Sequence, residues 1–134
     1  MKELEVVAAI LEYDGKILCM QRNVSKYSYT SLKFEFPGGK VEPGETHPQA
    51  LERELREEMD KDVNITDKDY FMTIHHVYPD FAITMHAYKL KINNPTFIMK
   101  EHIGFKWASL KDLNKLDWAA ADIDIVNKLV EDME

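Results

Sequence analysis

One segment of 23 residues, 39–61, places several carboxylates just after a glycine pair. Its chemistry-bearing side chains are Glu45, Arg53, Glu54, Glu57 and Glu58. Residues three and four apart share one face of a helix, so the last three glutamates lie side by side if this segment is helical. Two like charges 4 Å apart repel by about 4 kcal/mol at an effective dielectric of 20. Carboxylates crowded in this way either face solvent or hold a hard cation such as Mg²⁺ or Mn²⁺.

A cation site beside a glycine turn suits phosphoryl chemistry. Gly38 and Gly39 permit positive φ and close backbone approach, as a neighbouring phosphate or metal requires. A bound metal bridges phosphate oxygens, offsets their charge and acidifies a water molecule. A carboxylate outside the ligand shell then accepts the proton of that water. We expect Arg53 to pair with one of the carboxylates and fix the array.

A salt-bridged, solvated helix face is the alternative interpretation of the same charges. Three opposite-charge pairs stand four residues apart: Glu52–Arg56, Arg53–Glu57 and Arg56–Asp60. This alternative does not account for the Glu-Phe-Pro-Gly-Gly sequence immediately upstream, nor for the interval from Gly39 to Glu45. We therefore favour the metal site.

The spacing of these residues resembles the Nudix box. The matching pattern is Gly39, five residues, Glu45, seven residues, Arg53-Glu54-Leu55, one residue, and Glu57-Glu58. Pro37-Gly38-Gly39-Lys40 is similar to the usual lead-in of that family. Further segments resemble its MutT-type branch, especially the CTP pyrophosphohydrolase-like members: 6–9, 21–22, 34–36, Trp107 and 120–122. The family usually ends the box with a glycine and an apolar residue, where this chain has Asp60 and Lys61.

The resemblance implies an activity, a cofactor and a set of site residues. It implies hydrolysis of a nucleoside triphosphate to the monophosphate and pyrophosphate, with Mg²⁺ or Mn²⁺. The implied metal ligands are a carbonyl of Gly38 and the carboxylates of Glu54, Glu57, Glu58 and Glu101. The implied catalytic residues are Arg53, Glu54 and Glu101. The implied substrate contacts are Arg22 and Lys40 for phosphates, with Phe36 and Asp122 near the base.

Several of these roles have simpler alternatives. Asp122 is either a base-reading carboxylate, suited to the amino group of cytosine, or a charge at a helix N-terminus. Glu101 is alternatively a solvated loop acid, and Arg22 a surface residue. For the substrate we expect a pyrimidine nucleotide, either CTP, dCTP or a modified dCTP. The alternatives are 8-oxo-dGTP, a non-nucleotide diphosphate, or a sensor that binds nucleotides without catalysis.

The elements that must position these residues follow from periodicity and turn signals. We predict strands at 5–12, 16–22, 34–36, 69–78, 81–92 and 103–107, with a loop at 23–32. A helix begins after Thr46, with Gln49 at the capping-box position, and runs to about Met59. Ser109 caps a short helical segment, and a last helix, 119–133, buries Ile123, Val126, Leu129 and Val130. The resemblance implies an α/β/α sandwich, which agrees with a mixed sheet covered by helices.

Composition limits the class of protein. The 134 residues fit one domain, 1–134, and the net charge of −7 argues against binding to nucleic acid polymers. No apolar run is long enough to span a bilayer, and the acidic N-terminus does not resemble a secretory signal. The single cysteine, Cys19, lies in an apolar run and suggests a cytoplasmic protein. We expect a monomer or homodimer whose partner is a small nucleotide.

Two further groups are interpreted as structural. His75, His76, His86 and His102 lack metal-ligand spacing as a set, so no metal site is predicted from them. Tyr27, Tyr29 and Phe81 are expected to pack rather than to bind a base.

Overall fold

Seven β-strands form one mixed sheet in the computed structural model, which describes residues 1–133. The strands are β1 (Lys2–Tyr13), β2 (Lys16–Gln21), β3 (Phe34–Glu35), β4 (Gly38–Lys40), β5 (Tyr70–Val77), β6 (Phe81–Lys91) and β7 (Gly104–Ser109). Their order is β3-β2-β1-β6-β5, with β4 paired to β1 and β7 paired to β2. β1 runs parallel to β6, and the other pairs are antiparallel. Six of these strands agree with the predicted ones to within two residues at each end, except that β1 begins three residues earlier. The strand β4 was not predicted, because Gly38 and Gly39 were interpreted as a turn.

Strand β1 is buried on both faces because each face of the sheet carries a helix. Successive side chains of a strand point to opposite faces. Ala8 and Ile10 accordingly belong to the core under the C-terminal helix, while Val7, Ala9 and Leu11 belong to the core under the first helix. This two-sided burial explains the unbroken apolar run. It confirms the predicted α/β/α sandwich.

Helix α1 (His47–Met59) carries the glutamate-rich segment and has well-defined ends. The Thr46 hydroxyl accepts a hydrogen bond from the Gln49 N–H, and the Gln49 side chain accepts one from the Thr46 N–H, as the capping box predicts. Asp60 ends the helix in the left-handed region, at φ 53° and ψ 40°. Aspartate therefore takes the place of the usual glycine stop. The predicted apolar stripe is buried against the sheet: Ala50, Leu51, Leu55 and Met59.

Helix α2 (Ala120–Met133) corrects one prediction. Ile123 is 43% exposed and does not belong to the buried face. The buried stripe instead follows Ala121, Ile125 and Leu129 at intervals of four, joined by Val126. A residue two positions from a stripe member lies about 200° around the helix, which places Ile123 on the opposite side.

Ser109 precedes a 3₁₀ segment, Leu110–Lys115, at the predicted position. Its hydroxyl does not accept from the backbone of that segment but donates to the Asp112 carboxylate, 2.9 Å away. Across residues 1–133, no helix has both the length and the apolar character needed to cross a membrane.

Candidate active site

The glycine pair of β4 lets this strand lie against two neighbours at once. A Cβ at Gly38 would stand 1.9 Å from the carbonyl oxygen of Val7 on β1. A Cβ at Gly39 would stand 2.3 Å from the carboxyl group of Glu54 on α1. Neither glycine has a positive φ, which within residues 1–133 occurs only at Gly15 and Gly44 among the glycines. The pair is therefore needed for close approach, not for a left-handed turn.

Arg53 ties the start of the segment to the helix carboxylates. Its guanidinium donates to both oxygens of Glu45, at 2.7 and 2.9 Å, and to the Lys40 carbonyl at 3.0 Å. It also donates to Glu54 at 2.9 Å and to Glu57 at 3.2 Å. The hydrogen bond from Arg53 is the main cause that lowers the pKa of Glu45. The arginine thus fixes the β4–α1 connection and the orientation of two helix glutamates.

Of the three opposite-charge pairs on which the alternative interpretation rests, one is a salt bridge among the described residues. Arg53 and Glu57 form it, whereas Glu52 accepts from the Ile65 N–H at 2.8 Å. Arg56 pairs with Asp62, at 3.2 Å, beyond the end of the helix. The charged face of α1 is therefore not simply a row of solvated ion pairs, because Glu52, Arg53 and Arg56 contact residues outside the helix.

The carboxyl groups of Glu54, Glu58 and Glu101 lie close together next to Arg53. Burial, followed by the charges of Glu101 and Glu54, raises the pKa of Glu58 to about 9. Among the residues that the structure describes, the Oε2 atom of Glu58 is buried without a hydrogen-bond partner. A shared proton or a bound cation relieves such crowding. Carboxylate oxygens and a backbone carbonyl are the hard ligands that Mg²⁺ and Mn²⁺ prefer, so these side chains fit a divalent cation.

A cleft of about 630 Å³ connects this carboxylate cluster with the predicted substrate residues. Eight of the predicted site residues line the cleft: Arg22, Phe36, Gly38, Lys40, Glu54, Glu58, Glu101 and Asp122. Arg53 lies behind Glu54 and does not line the cleft. Glu57 does not line it either: its side chain is 60% exposed at the outer edge of the helix, next to Arg53. The structure therefore brings together all the predicted residues except these two.

Asp122 and Phe36 line the cleft next to each other. Asp122 is only 5% exposed, and its Oδ1 accepts a hydrogen bond from the Phe36 N–H at 3.2 Å. Phe36 stacks on Trp118, with ring centroids 4.6 Å apart. Burial, followed by the charge of Glu35, raises the pKa of Asp122 well above its ordinary value. Asp122 is thus held towards its neutral form, which offers both a donor and an acceptor.

Glu35 and His102 are cleft residues that the sequence did not indicate. The Glu35 carboxylate accepts from Arg22 at 2.9 Å and lies 2.8 Å from the Nε2 atom of His102. Burial acts to raise the pKa of Glu35, but the hydrogen bonds and charges of His102 and Arg22 outweigh it, and the pKa is lowered. Glu35 and His102 are 67 positions apart in the sequence, so there is no local signal of this contact.

The aromatic residues near the cleft pack against one another, and Phe81 also lines the cleft. Tyr29 stacks on Tyr27 and on Tyr78, with centroids 5.3 Å apart in both pairs. Phe81 packs against the same group, 5.0 Å from Tyr78. Tyr78 also accepts a hydrogen bond from the Ala121 N–H, at 3.0 Å, which joins the cluster to the start of α2.

Comparison with known proteins agrees with this architecture. The NUDIX domain model matches residues 1–129. The CTP pyrophosphohydrolase of Escherichia coli K12 is 39% identical over 126 residues, which cover 94% of this chain and 90% of that protein. The 8-oxo-dGTP diphosphatase of the same strain is 32% identical over 131 residues, covering 96% and 98%. The solution structure of the mismatch repair protein MutT from methicillin-resistant Staphylococcus aureus 252 has a TM-score of 0.74 and 41% identity, covering 98% of this chain and 99% of that one. The chain therefore belongs to the Nudix family of hydrolases.

Proposed function

We propose that residues 1–134 act as a single Nudix domain that hydrolyses a nucleoside triphosphate to the monophosphate and pyrophosphate. The observation that carries this proposal is the cleft itself, which has a crowded carboxylate cluster at one end and a buried polar group beside aromatic rings at the other. A triphosphate needs a cation site, and a base needs a dry pocket with one or two polar contacts. Two relatives named for nucleotide hydrolysis cover nearly the whole chain.

For the cofactor we propose Mg²⁺, with Mn²⁺ as a substitute. The proposed ligands are the Gly38 carbonyl and the carboxylates of Glu54, Glu57, Glu58 and Glu101. When bound, the cation offsets the charge of the phosphates and lowers the pKa of a water ligand. Glu57 reaches such a site only if its side chain leaves the outer edge of α1, where it contacts Arg53.

The protein's own residues orient the reaction. We assign Arg53 the task of holding Glu54 at the cleft, since it contacts that carboxylate directly at 2.9 Å. Whichever of Glu54 and Glu101 does not bind the cation accepts the proton of the attacking water. Lys40 is exposed at the cleft and is placed to contact phosphate oxygens. Arg22 is engaged by Glu35 and takes part only if it shares its guanidinium with the substrate.

For the base we propose cytosine, read by Asp122. A neutral carboxylic acid presents one donor and one acceptor side by side, which matches the N3 acceptor and the 4-amino donor of cytosine. Phe36, already stacked on Trp118, provides an apolar wall for the ring. The relative named as a CTP pyrophosphohydrolase supports this choice. An oxidised purine, 8-oxo-dGTP, is the second candidate because another relative of almost full length carries that name.

A substrate panel with product identification tests the proposal. CTP, dCTP, 5-methyl-dCTP and 8-oxo-dGTP are offered separately and in competition, with Mg²⁺, and released pyrophosphate and monophosphate are measured. A preference for the cytosine nucleotides supports base reading by Asp122, and a preference for 8-oxo-dGTP transfers the assignment to the second candidate. Nucleotide binding without release of pyrophosphate from any compound contradicts the enzyme and supports a sensor.

Three further expectations belong to the same proposal. We expect a monomer or homodimer that acts on small nucleotides and not on nucleic acid polymers. We also expect a cytoplasmic setting, which the buried, unpaired thiol of Cys19 supports. Light scattering of the purified protein measures the oligomeric state.

A further inference from the structure

Three side chains from separate elements converge outside the cleft. Glu5 comes from β1, His47 is the first residue of α1, and His86 comes from β6. The Nε2 atoms of both histidines point at one oxygen of Glu5, at 2.6 Å for His47 and 3.5 Å for His86. The potential ligand atoms of all three residues lie within 4.8 Å of one another. None of the three lines the cleft described above.

The fold produces this cluster through the parallel pairing of β1 and β6. Val7 is the register partner of His86, and Val7 faces the core under α1. Because side chains alternate along a strand, Glu5 points to the same face as Val7. The first turn of α1 then brings His47 above both strands. The ring centroids of His47 and His86 stand 3.8 Å apart, with the planes 15° from parallel.

A hydrogen bond to the Nδ1 atom of His86 fixes the orientation of its ring. Its Nδ1 atom lies 3.0 Å from the Thr73 hydroxyl on β5, and that hydroxyl lies 2.7 Å from the Tyr70 hydroxyl. Metal-binding histidines are usually held in this way, by a partner on the nitrogen that does not bind.

We propose that Glu5, His47 and His86 form a second metal site, which binds Zn²⁺. Two imidazoles and one carboxylate, with a fourth position open to water, are a ligand set that zinc accepts in tetrahedral geometry. Imidazole favours zinc over Mg²⁺, which prefers oxygen ligands. The lone pair of an imidazole lies in its ring plane, so one ring must turn out of the parallel stack to bind. His47 is suited to this because its side chain is 34% exposed in the first turn of α1.

The zinc site is distinct from the carboxylate cluster and does not depend on the proposed activity. His47 and Glu54 are seven residues apart on one helix, a rise of about 10 Å at 1.5 Å per residue. A metal at the zinc site joins β1, β6 and the start of α1. We therefore expect zinc to raise the unfolding temperature, by an amount that grows with the free zinc concentration.

Zinc titration of the purified protein tests the proposal, with Mg²⁺ in large excess so that the carboxylate cluster is occupied. Calorimetry measures affinity and stoichiometry, and nitrogen NMR of the imidazole rings reports which histidines bind. His86→Gln and His47→Gln each remove one ligand. His75→Gln is the matched control, since His75 is an exposed histidine on β5 outside the cluster.

We expect one imidazole-bound zinc per chain, with the Nε2 signals of His47 and His86 shifting together. Each ligand variant weakens zinc binding at least about tenfold, while the control binds as the parent does. Unchanged zinc affinity in both ligand variants overturns the proposal, as do Nε2 signals that do not move when zinc is added. If His86→Gln does not fold, the more exposed His47→Gln provides the same test.

Discussion

At the scale of single residues, Arg53 combines a side chain that is only 17% exposed with an unusually large number of polar contacts. Its five hydrogen bonds reach Glu45, Glu54, Glu57 and the Lys40 carbonyl. Lys40 is the last residue of β4, Glu45 lies between β4 and α1, and Glu54 and Glu57 belong to α1 itself. A planar guanidinium can satisfy such a set, whereas an ammonium group is a single point charge. Arg53 therefore has two roles: its contact with Glu45 stabilises the fold, and its contacts with Glu54 and Glu57 orient those carboxylates.

Arg53→Lys tests this role while keeping the charge. We expect a loss of about 1.5–3 kcal/mol in unfolding free energy, because the bidentate contact with Glu45 is lost. We also expect kcat/KM for pyrophosphate release to fall about 10–100-fold, since Glu54 loses the group that orients it. Urea unfolding and steady-state kinetics give the two values. Arg56→Lys is the control, because Arg56 makes an exposed pair with Asp62. Parental activity in Arg53→Lys contradicts the positioning role.

Asp122 makes a prediction about pH. Its pKa in the folded protein is raised, so the native state holds the proton more tightly than the unfolded chain does. The stability that this gives is complete below the unfolded pKa, about 3.9, and is lost as the pH rises through the folded value. Asp122→Asn stays neutral and keeps an oxygen for the Phe36 N–H. We expect its unfolding free energy, relative to the parent, to increase by up to about 1.4 kcal/mol per pH unit across that range.

Urea unfolding at a series of pH values measures this difference. Asp124→Asn provides the control, because Asp124 is an exposed acid on the same helix. If Asp122→Asn and the parent lose stability in parallel as the pH rises, the carboxyl group of Asp122 is ionised at little cost and the assignment of a neutral acid fails.

At the scale of elements, the two glycines of β4 meet obstacles of different kinds. The obstacle at Gly38 is a backbone carbonyl of β1, which moves only with its strand. The obstacle at Gly39 is the end of the Glu54 side chain, which can rotate away. We therefore expect Gly38→Ala to lower the unfolding free energy by about 1–3 kcal/mol through overpacking.

For Gly39→Ala we expect a smaller loss of unfolding free energy than for Gly38→Ala. We also expect its activity to fall about tenfold or more, because the new methyl group displaces the Glu54 carboxylate. Thermal unfolding and pyrophosphate release, measured on both variants, compare the two effects. A Gly39→Ala protein that is fully active would show that the position of the Glu54 carboxylate is unimportant for the reaction.

The elements also show what the sequence can predict. The capping box at Thr46 and the stripe of α1 depend on neighbours within one or two turns, and both were predicted correctly. The pairing of β1 with β6 joins residues about 80 positions apart, and no local pattern encodes its register. The approach of His86 to Glu5 and His47 was missed for this reason, because only histidine spacing within the sequence was considered. Ile123 was wrongly predicted to be buried, because apolar residues stand on more than one side of the helix predicted at 119–133 and the sequence alone does not show which side faces the sheet.

At the scale of the whole molecule, the net charge of −7 opposes the approach of a triphosphate. The cleft adds further acidic groups, among them Glu54, Glu58 and Glu101, and the cations Arg22 and Lys40 also line it. Binding of a polyanion in such a cleft therefore requires a cation that the carboxylates attract first. The protein keeps a group of mutually repelling acids at a cost in stability, which is expected for residues retained for function.

Glu58→Gln measures that cost directly. In the presence of a chelator at neutral pH we expect the variant to be more stable than the parent by at least about 0.5 kcal/mol. The reason is that the raised pKa makes Glu58 take up a proton on folding, a cost that the neutral glutamine does not have. With Mg²⁺ at about 100 times its dissociation constant, the parent gains about 2.7 kcal/mol, and the variant gains less. Thermal unfolding with and without Mg²⁺ gives both quantities, and Glu131→Gln on the exposed face of α2 is the control. If Mg²⁺ stabilises Glu58→Gln and the parent equally, Glu58 does not bind the metal. If the variant is more stable than the parent without Mg²⁺ and is not stabilised by Mg²⁺, the Glu58 side chain both destabilises the fold and binds the cation.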